Sequence, residues 1–250
     1  MILNLLLIFV FSILLRVVFL VENTGSDNWV HLFYVKTQNL VKSPFKHGAY
    51  RSVLEGKKAY PQLYHFVISF FPLRYWLAAA RFLNIILDCI QILVASLIAF
   101  ALFSHIELGL DDSIIWLPAY VGLILATSPI LLPVTARMKA MGARVFGQFV
   151  FLIFLFFNFM IVSGYFVFGS VGFFVTLMLI MLSSQFALQA SIWSTIIISI
   201  GYYNPLPFVA LAVTIGFAWK CVCLGTHDIL NAKIDHWRWY FHNSQTGTGA

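Results

Sequence analysis

Seven runs of apolar residues constrain this chain more than any other feature. They fall at about 2–21, 78–103, 114–134, 145–163, 165–182, 186–202 and 205–224. Each approaches the roughly 20 residues that a helix rising 1.5 Å per residue needs to cross bilayer hydrocarbon. Composition agrees, with 61% of the 250 residues hydrophobic and only 10% charged. Soluble domains carry roughly a quarter charged residues, and so little polar surface cannot cover a globule in water. The expected fold is an all-α membrane protein with about seven transmembrane helices. The first run, "MILNLLLIFVFSILLRVVFLV", lacks a basic start and a small-residue cleavage site, so it reads as a retained helix. Only "SGYF" separates the fourth run from the fifth, which requires one tight turn near Gly164.

The formal charge of +6 is spread over loops and does not form a basic tail. That argues against nucleic-acid binding and suits lipid head groups or an anionic lipid-linked substrate. Cys89, Cys221 and Cys223 match no metal spacing and imply no disulfide framework. No Gly-rich phosphate loop, HExxH or GxSxG motif occurs, and no internal repeat is visible.

Residues 22–77, between the first two runs, are the most polar part of the chain and hold two helix-like pieces. In "GSDNWVHLFYVKTQNLV", Ser26 or Asp27 can cap a helix by accepting from free N–H groups of its first turn. Trp29, Val30, Leu32, Phe33 and Leu40 would rest on the bilayer, with Lys36, Gln38 and Asn39 toward water. This is an interfacial amphipathic helix. The second piece, "YPQLYHFVISFFP", starts at Pro61 and closes at Pro72, too short to span. After residue 225, "THDILNAKIDHWRWYFHN" reads as a further amphipathic segment and "SQTGTGA" as a disordered end.

Asp27 and His31 are four positions apart and share a helix face. A carboxylate at the membrane surface with an imidazole one turn on could serve as a general base toward an acceptor hydroxyl or amide. The plainer reading makes Asp27 a cap and His31 an interfacial polar residue. Tyr60, Tyr64 and His65 could line a polar pocket, although tyrosines at membrane surfaces are routine. Arg81 and Asp88 lie seven apart on one face of the second run, as a structural pair or as substrate contacts. Arg81 could also snorkel to lipid phosphates. Arg137, Lys139 and Arg144, in "PVTARMKAMGARVFG", could bind phosphate or simply anchor topology. Ser183, Ser184, Gln185 and Gln189 mark a break between runs, where hydrogen-bonding groups touch a ligand or satisfy helix ends. Asp27 and His31 alone leave a divalent metal short of protein ligands, so no cofactor is assigned.

Counting positive charge would put Lys36, Lys42, Lys46, Arg51, Lys57, Lys58, Arg137, Lys139 and Arg144 in the cytoplasm. The acidic loop with Glu107, Asp111 and Asp112 would then face out.

The order of "GSDNWVH" after the first run, two interfacial helices, "YPQLYHF", and "RFLNIILD" opening the second span resembles the GT-C superfamily of integral-membrane glycosyltransferases. The resemblance covers almost the whole chain in layout, with residues 1–225 as the family's transmembrane module and 226–250 as a tail. It implies an active face on the extracytoplasmic side of the plasma membrane, the reverse of the charge count. It implies a polyprenyl-phosphate or polyprenyl-diphosphate sugar donor, with Asp27 as the base of an inverting single displacement. His31, Tyr60, Tyr64, His65 and Gln185 would contact acceptor or sugar. Arg81, Arg137, Lys139 and Arg144 would hold the donor phosphate. Family members often carry a second acid in the loop corresponding to "TARMKAMGAR" and a basic residue near "SSQF", and this sequence has neither. The family also continues into further helices or a soluble domain, so this sequence reads as part of a longer protein, as a minimal enzyme, or as a module completed by a partner subunit. Two other functions compete with the enzyme: a non-catalytic accessory subunit of the same ancestry, and a small transporter.

Overall fold

The computed structural model describes residues 2–18, 27–43, 63–104, 117–127 and 143–221, with 230, 231, 234, 235 and 238. About 90% of these are helical, and no strand occurs among them. The helices are α1 (Ile2–Val18), α2 (Asp27–Val41), α3 (Leu63–Ser69), α4 (Trp76–Ser104), α5 (Leu117–Thr127), α6 (Arg144–Val162), α7 (Phe166–Ser183), α8 (Gln185–Gly201) and α9 (Leu206–Lys220). A 3-10 turn, Leu73–Tyr75, leads into α4. Three stretches are long and apolar enough to cross a membrane: Leu73–Ile98, Arg144–Val162 and Phe166–Ser183. Three shorter helices are also apolar, at Leu3–Val17, Phe186–Gly201 and Leu206–Lys220.

Helix ends follow local chemistry. The turn after α6 has Gly164 at φ 92°, a left-handed conformation that glycine adopts without a Cβ clash. Tyr165 N–H reaches the Met160 carbonyl at 3.0 Å and Gly164 N–H the Ile161 carbonyl at 3.2 Å, closing a Schellman motif. The same pair of bonds ends α8, from Asn204 to Ser199 at 3.0 Å and from Tyr203 to Ile200 at 3.1 Å. There the left-handed residue is Tyr203, at φ 48°. Ser184 ends α7 and begins α8, its Oγ accepting from Ala187 N–H at 3.3 Å. The break at "SSQF" is therefore a one-residue junction held by a serine cap.

Several hydroxyls inside the apolar helices are satisfied by bonding back one turn, whereas those of Ser12, Ser170 and Ser199 have no partner among the described residues. Ser96 donates to the Ile92 carbonyl, Ser191 to Ala187, Thr195 to Ser191 and Thr214 to Ala210, all at 2.7–2.8 Å. A polar side chain can then sit in a helix with no water to bond.

The chain divides into two compact units. The first, Met1–Leu32 with Leu73–Val145, contains α1, α4 and α5 packed on one another. Ile8, Ile92 and Ala126 form its small apolar core. Gly122 permits the approach, because a Cβ there would lie 2.8 Å from Ser96 Oγ and 2.9 Å from Ile8. Ile8 packs near Ile92 while Arg16 meets Asp88, so α1 and α4 run in opposite directions.

The second unit, Phe33–Pro72 with Phe146–Ala250, holds a larger core around Phe154, Phe173, Leu177, Ile180, Met181 and Leu188. Asn158 donates to Thr195 Oγ1 at 2.9 Å, an interhelical bond between α6 and α8. Leu230 of the C-terminal segment is buried in the same core.

One sequence expectation is overturned here. Gln38, expected to face water, is 0% exposed, and Tyr34 and Val35 share its buried face. The cause is tertiary: α2 docks on α3. Asn39 Nδ2 donates to the Ser69 carbonyl at 2.9 Å, and the Tyr34 and His65 rings meet at 5.3 Å. The α3 contacts, not the polarity of the α2 sequence, select the face that turns inward.

Candidate functional site

Asp27 is the first residue of α2 and His31 follows one turn later, half-buried. Residue 26, the other capping candidate, lies outside the described residues. Arg81 lies on α4 and Arg144 opens α6; both belong to the first unit, as do Asp27 and His31. Tyr64, His65 and Gln185 belong to the second. Tyr60, Arg137 and Lys139 lie outside the described residues.

The structure brings Tyr64 and His65 together on α3, fully buried in an aromatic cluster. The Tyr64 ring stands edge-on to His65 at 5.6 Å and tilts against Phe146 at 5.9 Å. Tyr34 completes the cluster from α2. Burial pushes the Tyr34 phenol above its ordinary pKa of 10.0, because an anion there would lose its hydration. Tyr34 therefore presents a neutral, packed phenol near neutral pH.

The polar face of α4 is the most concentrated set of hydrogen-bonding side chains in the first unit. Arg81, Asn84, Asp88 and Gln91 recur at spacings of three and four, which places them on one side of the helix. Phe82 and Ile86 are exposed on the other side. Asp88 does not pair with Arg81. It accepts from Arg16 Nε of α1, while Arg16 Nη1 donates to the Ser12 carbonyl at 3.2 Å. Both members of the ion pair are buried. Gln91 Nε2 reaches the Val145 carbonyl at 3.1 Å. Asn84 is 0% exposed, and neither its Nδ2 nor its Oδ1 has a hydrogen-bond partner among the described residues. The buried Nε of Arg81 likewise has none.

Sequence reasoning missed Arg16 because its helix reads as uniformly apolar. The signal was present, since a lone arginine deep in such a run demands a counter-charge. Asn84 was overlooked as well, although it lies between two residues that were singled out.

Among the described residues, no group of three or more His, Cys, Asp and Glu side chains could hold a metal ion. No protein-family model, curated protein or solved structure matches the chain.

Proposed function

We propose that the protein transfers a sugar from a polyprenyl-phosphate or polyprenyl-diphosphate carrier to an acceptor at the extracytoplasmic membrane face. The observation that carries this reading is Asp27 at the head of α2, one turn before His31, in a chain whose apolar helices suit a membrane. It is joined by the sequence layout shared with GT-C glycosyltransferases.

In this reading all seven apolar helices cross the bilayer, and residues 22–77 lie outside with α2 and α3 at the surface. The Asp27 carboxylate takes the proton from the acceptor O–H or N–H. The acceptor atom bonds to the anomeric carbon as the bond from that carbon to the phosphate oxygen breaks. The electron pair leaves with the lipid phosphate, and the anomeric configuration inverts. Cationic side chains beside the leaving group, Arg81, Arg137, Lys139 and Arg144, stabilise the departing charge. His31, Tyr60, Tyr64, His65 and Gln185 are assigned to the acceptor and sugar.

The test compares the purified protein with Asp27→Asn on a panel of polyprenyl-phosphate sugars. The isosteric change keeps a polar residue of the same shape at the first position of α2 and removes the base. Transfer or donor hydrolysis that disappears in the variant while binding persists supports the reading. A wild type that binds carrier lipid without turnover favours a non-catalytic accessory subunit. The absence of any acid in "TARMKAMGAR" is the observation on that side.

A further inference from the structure

We infer that the end of α4 beyond the Arg16–Asp88 pair is an anion site, with Arg81 and Asn84 binding the oxygens of a phosphate monoester. The inference deepens the proposed function by naming residues that hold the anion, and rests on that reading only for the identity of the natural lipid.

Asn84 carries the inference. A primary amide with no exposed surface and no partner on either polar atom forfeits its hydration and gains nothing in return. Such a group is tolerated where a guest supplies the missing bonds. Neighbouring charge indicates which guest. Arg16 and Asp88 neutralise one another one turn deeper on α4, so they add no net charge. Arg81, three positions before Asn84 on the same face, has a buried Nε–H without an acceptor. Its charge enters no ion pair among the described residues. Together the two side chains offer guanidinium N–H groups and two amide N–H groups to an acceptor-rich, negatively charged partner. A phosphate monoester has that chemistry, with several oxygens and a charge to match. The Asn84 Oδ1 remains to accept from a protonated phosphate oxygen or a vicinal hydroxyl.

The ion pair bears on the charge available to this site. By tying Asp88 to α1, it removes the only carboxylate on the polar face of α4 from competition for Arg81. At the turn that leads into α4, Arg74 lies over the Tyr75 ring at 4.5 Å, and Leu73, Arg74 and Tyr75 are exposed. An arginine and an aromatic ring side by side are typical of a membrane–water boundary. Arg81 is seven residues further in, about 10 Å along the helix. A phosphate there would sit below the usual headgroup plane.

The experiment reconstitutes the full chain in phosphatidylcholine nanodiscs and measures binding of a long-chain isoprenyl monophosphate by native mass spectrometry. A water-soluble phosphate monoester and inorganic phosphate are titrated in parallel. The variants are Asn84→Leu and Arg81→Gln. Asn84→Leu replaces an unsatisfied buried amide by an apolar group of similar size, so the empty fold is kept or stabilised. Loss of binding in that variant is therefore not unfolding, and its thermal midpoint verifies this. The expected result is binding of the lipid monophosphate to the wild type, weakened roughly tenfold or more by each substitution, the loss for one charge-assisted hydrogen bond. Binding of the soluble ester with the same dependence on Asn84 also supports the site and makes its source a free phosphate. Absence of phosphate binding in the wild type overturns the inference, as does equal binding by wild type and Asn84→Leu. Because no turnover is measured, a protein that never transfers sugar can still pass, and an active enzyme can still fail.

Discussion

Arg16 donates through Nε to the carboxylate of Asp88, joining two helices across 72 positions of sequence inside an apolar unit. Such a pair contributes little net stability over an apolar substitute, because both charges are desolvated. Losing one member is a different matter, since it strands the other in a medium that cannot solvate it.

Replacement of Asp88 by Leu, or of Arg16 by Met, is expected to destabilise the protein by about 3 kcal/mol or more. The double replacement Arg16→Met with Asp88→Leu is expected to recover most or all of that loss. Unfolding in detergent, analysed as a double-mutant cycle, gives the coupling directly. Additive single-site losses would show that the two residues do not depend on one another.

Tyr203 is held in the left-handed conformation at φ 48° with 95% of its surface exposed. Its Cβ costs roughly 1 kcal/mol there, and the exposed ring returns little. Tyr203→Gly is expected to raise stability by about that amount, visible as an increased thermal midpoint. Gly164→Ala, in the equivalent position after α6, should lower it by a comparable amount.

Gly147 of α6 lies against Ser184, and a Cβ at that position would fall 2.2 Å from the serine Cβ. Gly147→Ala is expected to cost about 1–3 kcal/mol through overpacking. Ser184→Gly on its own should cost only a few tenths of a kcal/mol as a weaker cap. In the double variant it should make room for the added methyl and recover most of the loss. A double variant as unstable as the sum of the two would place the clash elsewhere.

Tyr34 links stability to alkaline pH. Its phenol has a raised pKa in the folded protein, so folded and unfolded states are both protonated below the ordinary value of 10.0. Above it the unfolded tyrosine ionises first, and the contribution of the neutral phenol to stability is lost as pH rises toward the folded value. Denaturant midpoints measured on either side of about pH 10 should fall more steeply in the wild type than in Tyr34→Phe.

The helical class was legible because apolar runs of membrane length admit few other structures, and the turn at Gly164 because glycine there satisfies a left-handed bend. Its counterpart at Tyr203 was not legible, since tyrosine gives no sign of positive φ. Ser184 could be read as a helix-end residue from its place between two apolar runs. Gln38 could not be placed correctly, because a glutamine on an amphipathic helix looks solvent-facing until tertiary packing buries its face. For Asp88, local spacing offered Arg81, on the same helix, as a partner. The residue that claims it lies on α1, and only the packing of α1 against α4 reveals this.

The length of chain between Arg16 and Asp88 also bears on how the protein is made. A ribosome completes α1 well before it reaches residue 88. In the proposed reading, where α1 crosses the bilayer, a bare arginine waits during that interval in a segment bound for hydrocarbon, a burden of about 2.5–3.5 kcal/mol on insertion scales. The first helix is therefore expected to linger at the insertion machinery or the bilayer surface and to settle only when the fourth arrives to neutralise it. Chains arrested before residue 88 should leave α1 extractable by alkaline carbonate, whereas longer ones should retain it.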